Sequence, residues 1–253
     1  MDDPYYNVQP GLCVIINNMD FKQGLRELPH GKKDEESLAV LFVTLGFEVK
    51  IHENLTAKEI LHKVESYSKL EHKGAFFLVI LSHGTLANKN VAAVIGTDGK
   101  AVTIHQLKAF FHESKCRSLR GVPKIFLIDA CHGRTNEQAL NPEPRDWMAT
   151  KASSGSLTSL PSKEPATNLG DFMTVYASSY GNIAYADSRG SQMTQAFVEA
   201  TNRAGTDTPF MKIIQKVKAK LQQSDTPQTV ESTDTLSRDY FIKRYTTPIV
   251  LGH

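Results

Sequence analysis

The chain has 253 residues, 40% of them hydrophobic, with a formal net charge of +2 and acids and bases interspersed. That suits one compact domain or two small ones with a sizeable core, and it leaves no charge footprint for nucleic acid or a membrane surface. No run is long enough to span a membrane, the acidic start Met1-Asp2-Asp3-Pro4-Tyr5-Tyr6 lacks an apolar signal core, and three cysteines (Cys13, Cys116, Cys131) follow no disulfide framework, so a reducing, cytoplasmic setting is expected.

Strands and helices alternate through the first half. Leu12 to Ile16 reads as a short apolar strand. Asp34 to Leu45 follows as an amphipathic helix, with Leu38, Leu41, Phe42 and Leu45 at i, i+3, i+4 and i+7. Gly46 breaks it, and Phe47 to Ile51 is the next strand. Asn54-Leu55-Thr56 fits a glycosylation acceptor but reads better as a helix lead-in: Thr56 with Glu59 makes a capping box. That helix is expected to bury Ile60, Leu61, Val64 and Tyr67. Phe76 to Leu81 is a buried strand ending in Ser82-His83-Gly84. Val91 to Ile95 with the Thr97-Asp98-Gly99 turn predicts a small hairpin, and Ile104 to His112 a helix. Lys124 to Leu127 opens a second buried strand, closing in Ile128-Asp129-Ala130-Cys131-His132-Gly133. This order predicts an α/β fold with a mainly parallel sheet covered on both faces.

From Arg134 to Gly170 the apolar period disappears among prolines and a Ser153-Ser154-Gly155-Ser156 run, which predicts a linker. Order returns with a strand at Phe172 to Ala177, helices at Gln192 to Asn202 and Phe210 to Leu221, and a late strand at Asp239 to Ile242. The chain therefore divides into 1–133, a linker at 134–170, and 171–253, the two outer parts sharing one sheet.

Two buried strands thus deliver an imidazole and a thiol to one sheet edge, which predicts a cysteine hydrolase. Cys131 is the candidate nucleophile and His83 the proton carrier. Gly84 gives its backbone close access to substrate. Cys13 and Cys116 read as core cysteines, and His132, next to the thiol, as pointing away from it. His30 and His52 read as surface residues. None of the nine histidines forms a metal-ligand spacing with the cysteines, so neither a metal nor a cofactor is expected.

With these residues placed, the chain resembles the caspases, intracellular cysteine endopeptidases, over nearly its whole length. The segments that carry the resemblance are Gly11 to Asn18, Leu81-Ser82-His83-Gly84, Cys116-Arg117-Ser118-Leu119, Pro123 to Phe126, Asp171-Phe172 and Gly190-Ser191. His83 precedes Cys131 by roughly 50 residues, the spacing of this family. The resemblance implies a three-layer sandwich with a central, mostly parallel six-stranded sheet. It implies an oxyanion hole from the amides of Gly84 and Cys131, maturation by cleavage in the linker, and protein or peptide substrates. It further implies a homodimer through the small-subunit strand near Asp239 to Ile242, and a role in cell-death or immune signalling.

Caspases cut after aspartate, using two arginines and a glutamine in the primary pocket. Here the glutamine position, two before the nucleophile, holds Asp129. Ala184-Tyr185-Ala186-Asp187 aligns with the segment carrying one arginine, so Ala186 replaces it. The other arginine aligns with Leu28 or Pro29 in a shortened loop, and Arg26 reaches in only if the backbone shifts. Asp129, with Asp187 and Glu27, is expected to accept a basic side chain, and Tyr185 to form an aromatic wall for the next substrate residue. Two charges about 4 Å apart at an effective dielectric near 20 interact by about 4 kcal/mol, roughly a thousandfold discrimination. The Asp-Ala-Cys sequence also resembles metacaspases and paracaspases, which cut after arginine or lysine. The leading expectation is a caspase-type protease of basic specificity. Linker residues Arg134, Arg145, Lys151 and Lys163 would then be self-cleavage sites, and Asp146 a site for an aspartate-specific activator. The alternatives are an aspartate-specific caspase with a pocket rearranged through Arg26, Arg189 or Arg203, and a catalytically weak regulator that binds partners.

Overall fold

The apolar runs of the first half assemble in parallel, and their carboxyl ends come to one edge. The computed structural model describes residues 4–22, 24–87, 91–130, 169–179 and 184–242. Cys131, His132 and the linker residues Arg134, Arg145, Asp146, Lys151 and Lys163 lie outside the described residues. In chain order the elements are β1 (Gln9–Asn17), α1 (Gly31–Thr44), β2 (Glu48–Glu53), α2 (Ala57–Ser68), β3 (Gly74–Leu81) and β4 (Gly84–Ala87). Then come β5 (Val91–Ile95), β6 (Ala101–Thr103), α3 (Ile104–Ala109), β7 (Lys124–Asp129) and β8 (Phe172–Tyr176). The last are β9 (Ala186–Asp187), β10 (Gly190–Ser191), α4 (Gln192–Asn202), α5 (Phe210–Gln222) and β11 (Glu231–Asp234).

The six-stranded sheet runs β11-β8-β7-β3-β1-β2, parallel except for β11, which is antiparallel to β8. β3 and β7 are buried along their whole length, as strands with both faces covered must be. Alternate residues of β3 serve opposite faces. Phe77, Val79 and Leu81 pack with α1, α4 and α5, while Phe76, Leu78 and Ile80 pack with α2 and α3. The result is the expected three-layer α/β sandwich. In its register Asn17 lies beside Leu81 and Leu81 beside Asp129, so three strands end level. Crevices at such carboxyl ends are where open α/β sheets bind ligands.

Local chemistry sets the element ends. Thr56 and Glu59 make the capping box of α2, with Glu59 N donating to Thr56 Oγ1 and Thr56 N donating to Glu59 Oε2. Ile60 and Val64 are buried beneath it, while Leu61 and Tyr67 are half-buried and pack against the same core. Asn54 takes a positive φ of 55°; its Oδ1 accepts from the amides of Met19 and Asp20, and its Nδ2 donates to Asp20 Oδ2. Its side chain is thus committed to the turn ahead of α2.

Three expectations change. The hairpin at Val91–Ile95 gains a third strand, β4, too short and mixed to show a period. The helix expected to reach His112 ends at Ala109. The sixth strand is not 239–242, where Asp239 and Phe241 form only single bridges with Tyr5 and Pro209. It is β11, the polar run Glu-Ser-Thr-Asp. An edge strand facing solvent needs no apolar run, whereas Tyr240 and Ile242 are apolar because they fill the α1–α4–α5 core. Among the described residues no helix is long and apolar enough to cross a membrane.

Candidate active site

His83 follows β3 and is held from several directions. Its backbone carbonyl accepts Ile95 N–H at 2.9 Å, which ties it to the small sheet. Its ring is 1% exposed, packs on Phe21 with centroids 4.5 Å apart, and places Nε2 2.6 Å from the carbonyl oxygen of Arg26. A carbonyl only accepts, so it takes the Nε2–H and leaves Nδ1 as the basic nitrogen. Burial holds the imidazole below its usual pKa, partly offset by the Arg26 carbonyl. Gly84 is buried and opens β4, opposite Val94. The strand end leading to Cys131 lies beside the one leading to His83, since Leu81 pairs with Asp129 and Ser82 N donates to Asp129 O.

Beside this edge is a small cleft open to solvent. Its lining includes Asp129, Asp34 from the first turn of α1, Ser191 and Ala186 from the β9–β10 pair, Leu28 and Tyr185. Ser191 organises it. Its backbone N–H donates to both Asp34 oxygens at 2.9 Å, and its hydroxyl donates to Asp129 Oδ2 while accepting Thr194 N–H as the cap of α4. Thr194 Oγ1 donates to the same Asp129 oxygen at 2.8 Å. No lysine or arginine is among the lining residues described. Burial raises both carboxyls. Asp34 is pushed up to about 8 by burial and then by the charge of Asp129, against the Ser191 amide bond. Asp129 is raised by burial, against the Ser191 and Thr194 hydrogen bonds.

Of the residues expected at the pocket, Asp129, Tyr185 and Ala186 line this cleft, and His83 and Gly84 stand at the neighbouring strand end. Of the two residues aligned with an arginine, Leu28 is buried and lines the cleft, while Pro29 is exposed. Asp187 and Glu27 are not brought to it. Asp187 is committed to Arg189, whose guanidinium lies 2.6 Å away and holds its carboxyl below the usual range. Glu27 is exposed, because the chain turns its neighbour Leu28 inward instead. Arg26 contributes its backbone carbonyl rather than its exposed side chain. Arg203 pairs with Glu199 at 2.7 Å. His30 is not a surface residue: it is half-buried and lines the cleft. His52 is also half-buried, its Nε2 2.8 Å from Tyr67 Oη. Cys13 and Cys116 are buried in the core, where burial pushes both thiols up.

Sequence reasoning missed Asp34 and His30. Asp34 carries the ordinary mark of a helix first turn, and only its burial (2% exposed) distinguishes it. A signal existed in Gly190. At φ +122°, a Cβ there would sit 2.2 Å from Asp34 Oδ1, so the glycine marks a carboxylate packed against it.

A family model described as the caspase domain matches residues 10–241. The chain is 31% identical to caspase-3 of Bos taurus over 218 residues, covering 83% of this chain and 72% of that protein. It is 38% identical to caspase-8 of Mus musculus over 148 residues (54% of this chain) and 31% identical to caspase-8 of Rattus norvegicus over 233 residues (87%). It spans 30% and 47% of the lengths of those two relatives. The crystal structure of caspase-1 from Spodoptera frugiperda shares the fold, with a TM-score of 0.77 at 23% identity, covering 98% of this chain and 97% of that one. The ordered segments, the sandwich and the match across residues 10–241 agree, and the chain belongs to the caspase family.

Proposed function

We propose that the chain is a caspase-type cysteine endopeptidase that cleaves peptide bonds after arginine or lysine. The observation that carries the basic preference is the pair of buried carboxylates, Asp34 and Asp129, gathered around Ser191 in a cleft that Leu28 and Ala186 line without a described lysine or arginine. A substrate carboxylate would meet charge of its own sign in a desolvated site. A guanidinium or ammonium supplies the missing charge and displaces the proton that the pair holds when empty.

The chemistry follows from the strand ends. The Cys131 thiolate attacks the scissile carbonyl carbon, and the amides of Gly84 and Cys131 take the developing oxyanion. His83, oriented by the Arg26 carbonyl and carrying the proton taken from the Cys131 thiol, gives that proton to the leaving amine. The C–N bond breaks to leave a thioester. His83 then takes a proton from water, which attacks the thioester and releases the acid and the thiol.

The same reading carries several finer proposals. The subunits would be residues 1–133 and 171–253, joined by a cleavable linker at 134–170. The substrates are proteins or peptides in cell-death or immune signalling in the cytoplasm. A homodimer would form along the small-subunit side, where β11 rather than 239–242 is the sheet edge.

Matched peptides ending in Asp, Arg, Lys and Gln test the specificity. Arg and Lys are expected to exceed Gln, and Asp to be poorest. Asp129→Asn should lower kcat/KM on basic peptides by about a thousandfold while sparing Gln peptides. Efficient cleavage after Asp alone sinks the basic-pocket reading. Labelling by a basic-peptide electrophile, abolished in Cys131→Ala, separates a protease from a binding regulator.

A further inference from the structure

If the cleft takes a basic side chain, as proposed above, its polar lining decides which one. Two lining atoms are buried without a hydrogen-bond partner among the described residues: Asn17 Oδ1 at the end of β1, and His30 Nδ1 just ahead of α1. Asn17 is fully buried, and the other end of its amide is committed, Nδ2 donating to Gly31 O and Glu35 Oε2 at 3.0 Å each. Those two bonds assign the oxygen as the unpaired end. Gly31 keeps it uncrowded, since a Cβ there would lie 2.6 Å from Oδ1.

His30 stands at the N-cap of α1 yet makes no side-chain capping bond, so its ring has no structural duty there. Burial and the Arg26 charge hold it below its usual pKa, against Asp129 and Asp187. Burial thus favours the neutral ring, and in the tautomer that carries its proton on Nε2 the buried Nδ1 is an acceptor.

Asp129 adds another acceptor. The hydroxyls of Ser191 and Thr194 both bind its Oδ2. The cleft thus presents unpartnered buried atoms from β1 and the α1 entry beside the carboxyls of Asp34 and Asp129, with no lysine or arginine among its described lining. A buried acceptor left unpaired keeps the full cost of its desolvation. A guanidinium spreads five N–H donors over a planar fork, whereas an ammonium carries three on one atom. A site built of several buried polar partners rejects an analogue that leaves them unmatched.

We propose that the cleft selects arginine over lysine before the scissile bond, with Asn17 Oδ1 and His30 Nδ1 as specificity-determining acceptors beside Asp34 and Asp129. The test is kcat/KM on matched Arg, Lys and Gln peptides for the wild type, His30→Ala and His30→Asn, normalised by active-site titration. The wild type should favour Arg over Lys by about tenfold or more. His30→Ala should bring that ratio down about fivefold, the Arg peptide losing more than the Lys peptide. His30→Asn should restore it, because Oδ1 takes the place of Nδ1. Neither change removes a capping bond, and melting temperatures verify the fold. Equal Arg and Lys cleavage by the wild type, or an unchanged ratio in His30→Ala, overturns the arginine proposal while basic cleavage in excess of Gln leaves the basic-pocket reading standing. Gln peptides cleaved as well as both basic ones would overturn the two together.

Discussion

Asp34 and Asp129 meet on one serine: Ser191 offers its backbone N–H to the first and its hydroxyl to the second. A helix first turn, a strand end and the second part of the chain are joined there without a neighbouring lysine or arginine in the lining described.

That juxtaposition gives a pH dependence with a definite sign. Asp34 is pushed up to about 8 when folded, by burial and by Asp129, so the folded state holds a proton that the unfolded state has lost. Stability from this group is complete below the ordinary carboxyl range near pH 4 and declines as pH rises toward about 8. The melting temperature of the peptide-free protein should fall across that window, and Asp34→Asn should flatten the fall. A melting temperature that rises between about pH 5 and 8 in both proteins would contradict it.

Gly190→Ala should destabilise the protein by about 2–4 kcal/mol. The new Cβ would lie 2.2 Å from Asp34 Oδ1 on a backbone at φ +122°. Chemical denaturation measures the loss. In whatever folded fraction remains, cleavage of basic peptides should fall more than cleavage of Gln peptides, because the displaced atom is a pocket carboxylate.

Phe21 is a positioning residue for the base. Its ring packs on His83 with centroids 4.5 Å apart and contributes to the burial that depresses the imidazole pKa. Phe21→Ala should lower kcat about tenfold with little change in KM. It should also move the acid limb of the pH–rate profile upward, as water returns to the ring. A profile unmoved in pH would reduce Phe21 to packing alone.

Thr56→Ala should cost about 1 kcal/mol by removing the capping box of α2, measured in denaturant. Peptidase activity per folded molecule should be unchanged, since α2 packs on the sheet face opposite α1.

The sheet and its helices were legible because the central strands carried apolar runs and the main helices apolar residues at helical spacing. Phe76 to Leu81 and Lys124 to Leu127 needed no tertiary information. β11 was not legible, since Glu231 to Asp234 is polar and its pairing comes from the neighbour β8. At the site, His83 and Asp129 were found because a histidine and an aspartate are unusual at the ends of apolar strands. Asp34 was only the first residue of a predicted helix, and His30 read as a surface residue. What distinguishes them is long-range: Asp34 meets a serine far along the chain, and His30 turns into a cleft. Asp187 and Glu27 were judged by charge and neighbourhood, but Arg189 occupies one and solvent the other.

The segment between β1 and α1 performs two tasks at once. Arg26 fixes the imidazole through its carbonyl, and Leu28 and His30, two and four residues on, wall the cleft. With so few intervening bonds, a side chain that presses on the wall pulls on the carbonyl. Lengthening this segment by one residue should therefore disturb the wall and the carbonyl together, lowering kcat as well as weakening peptide binding.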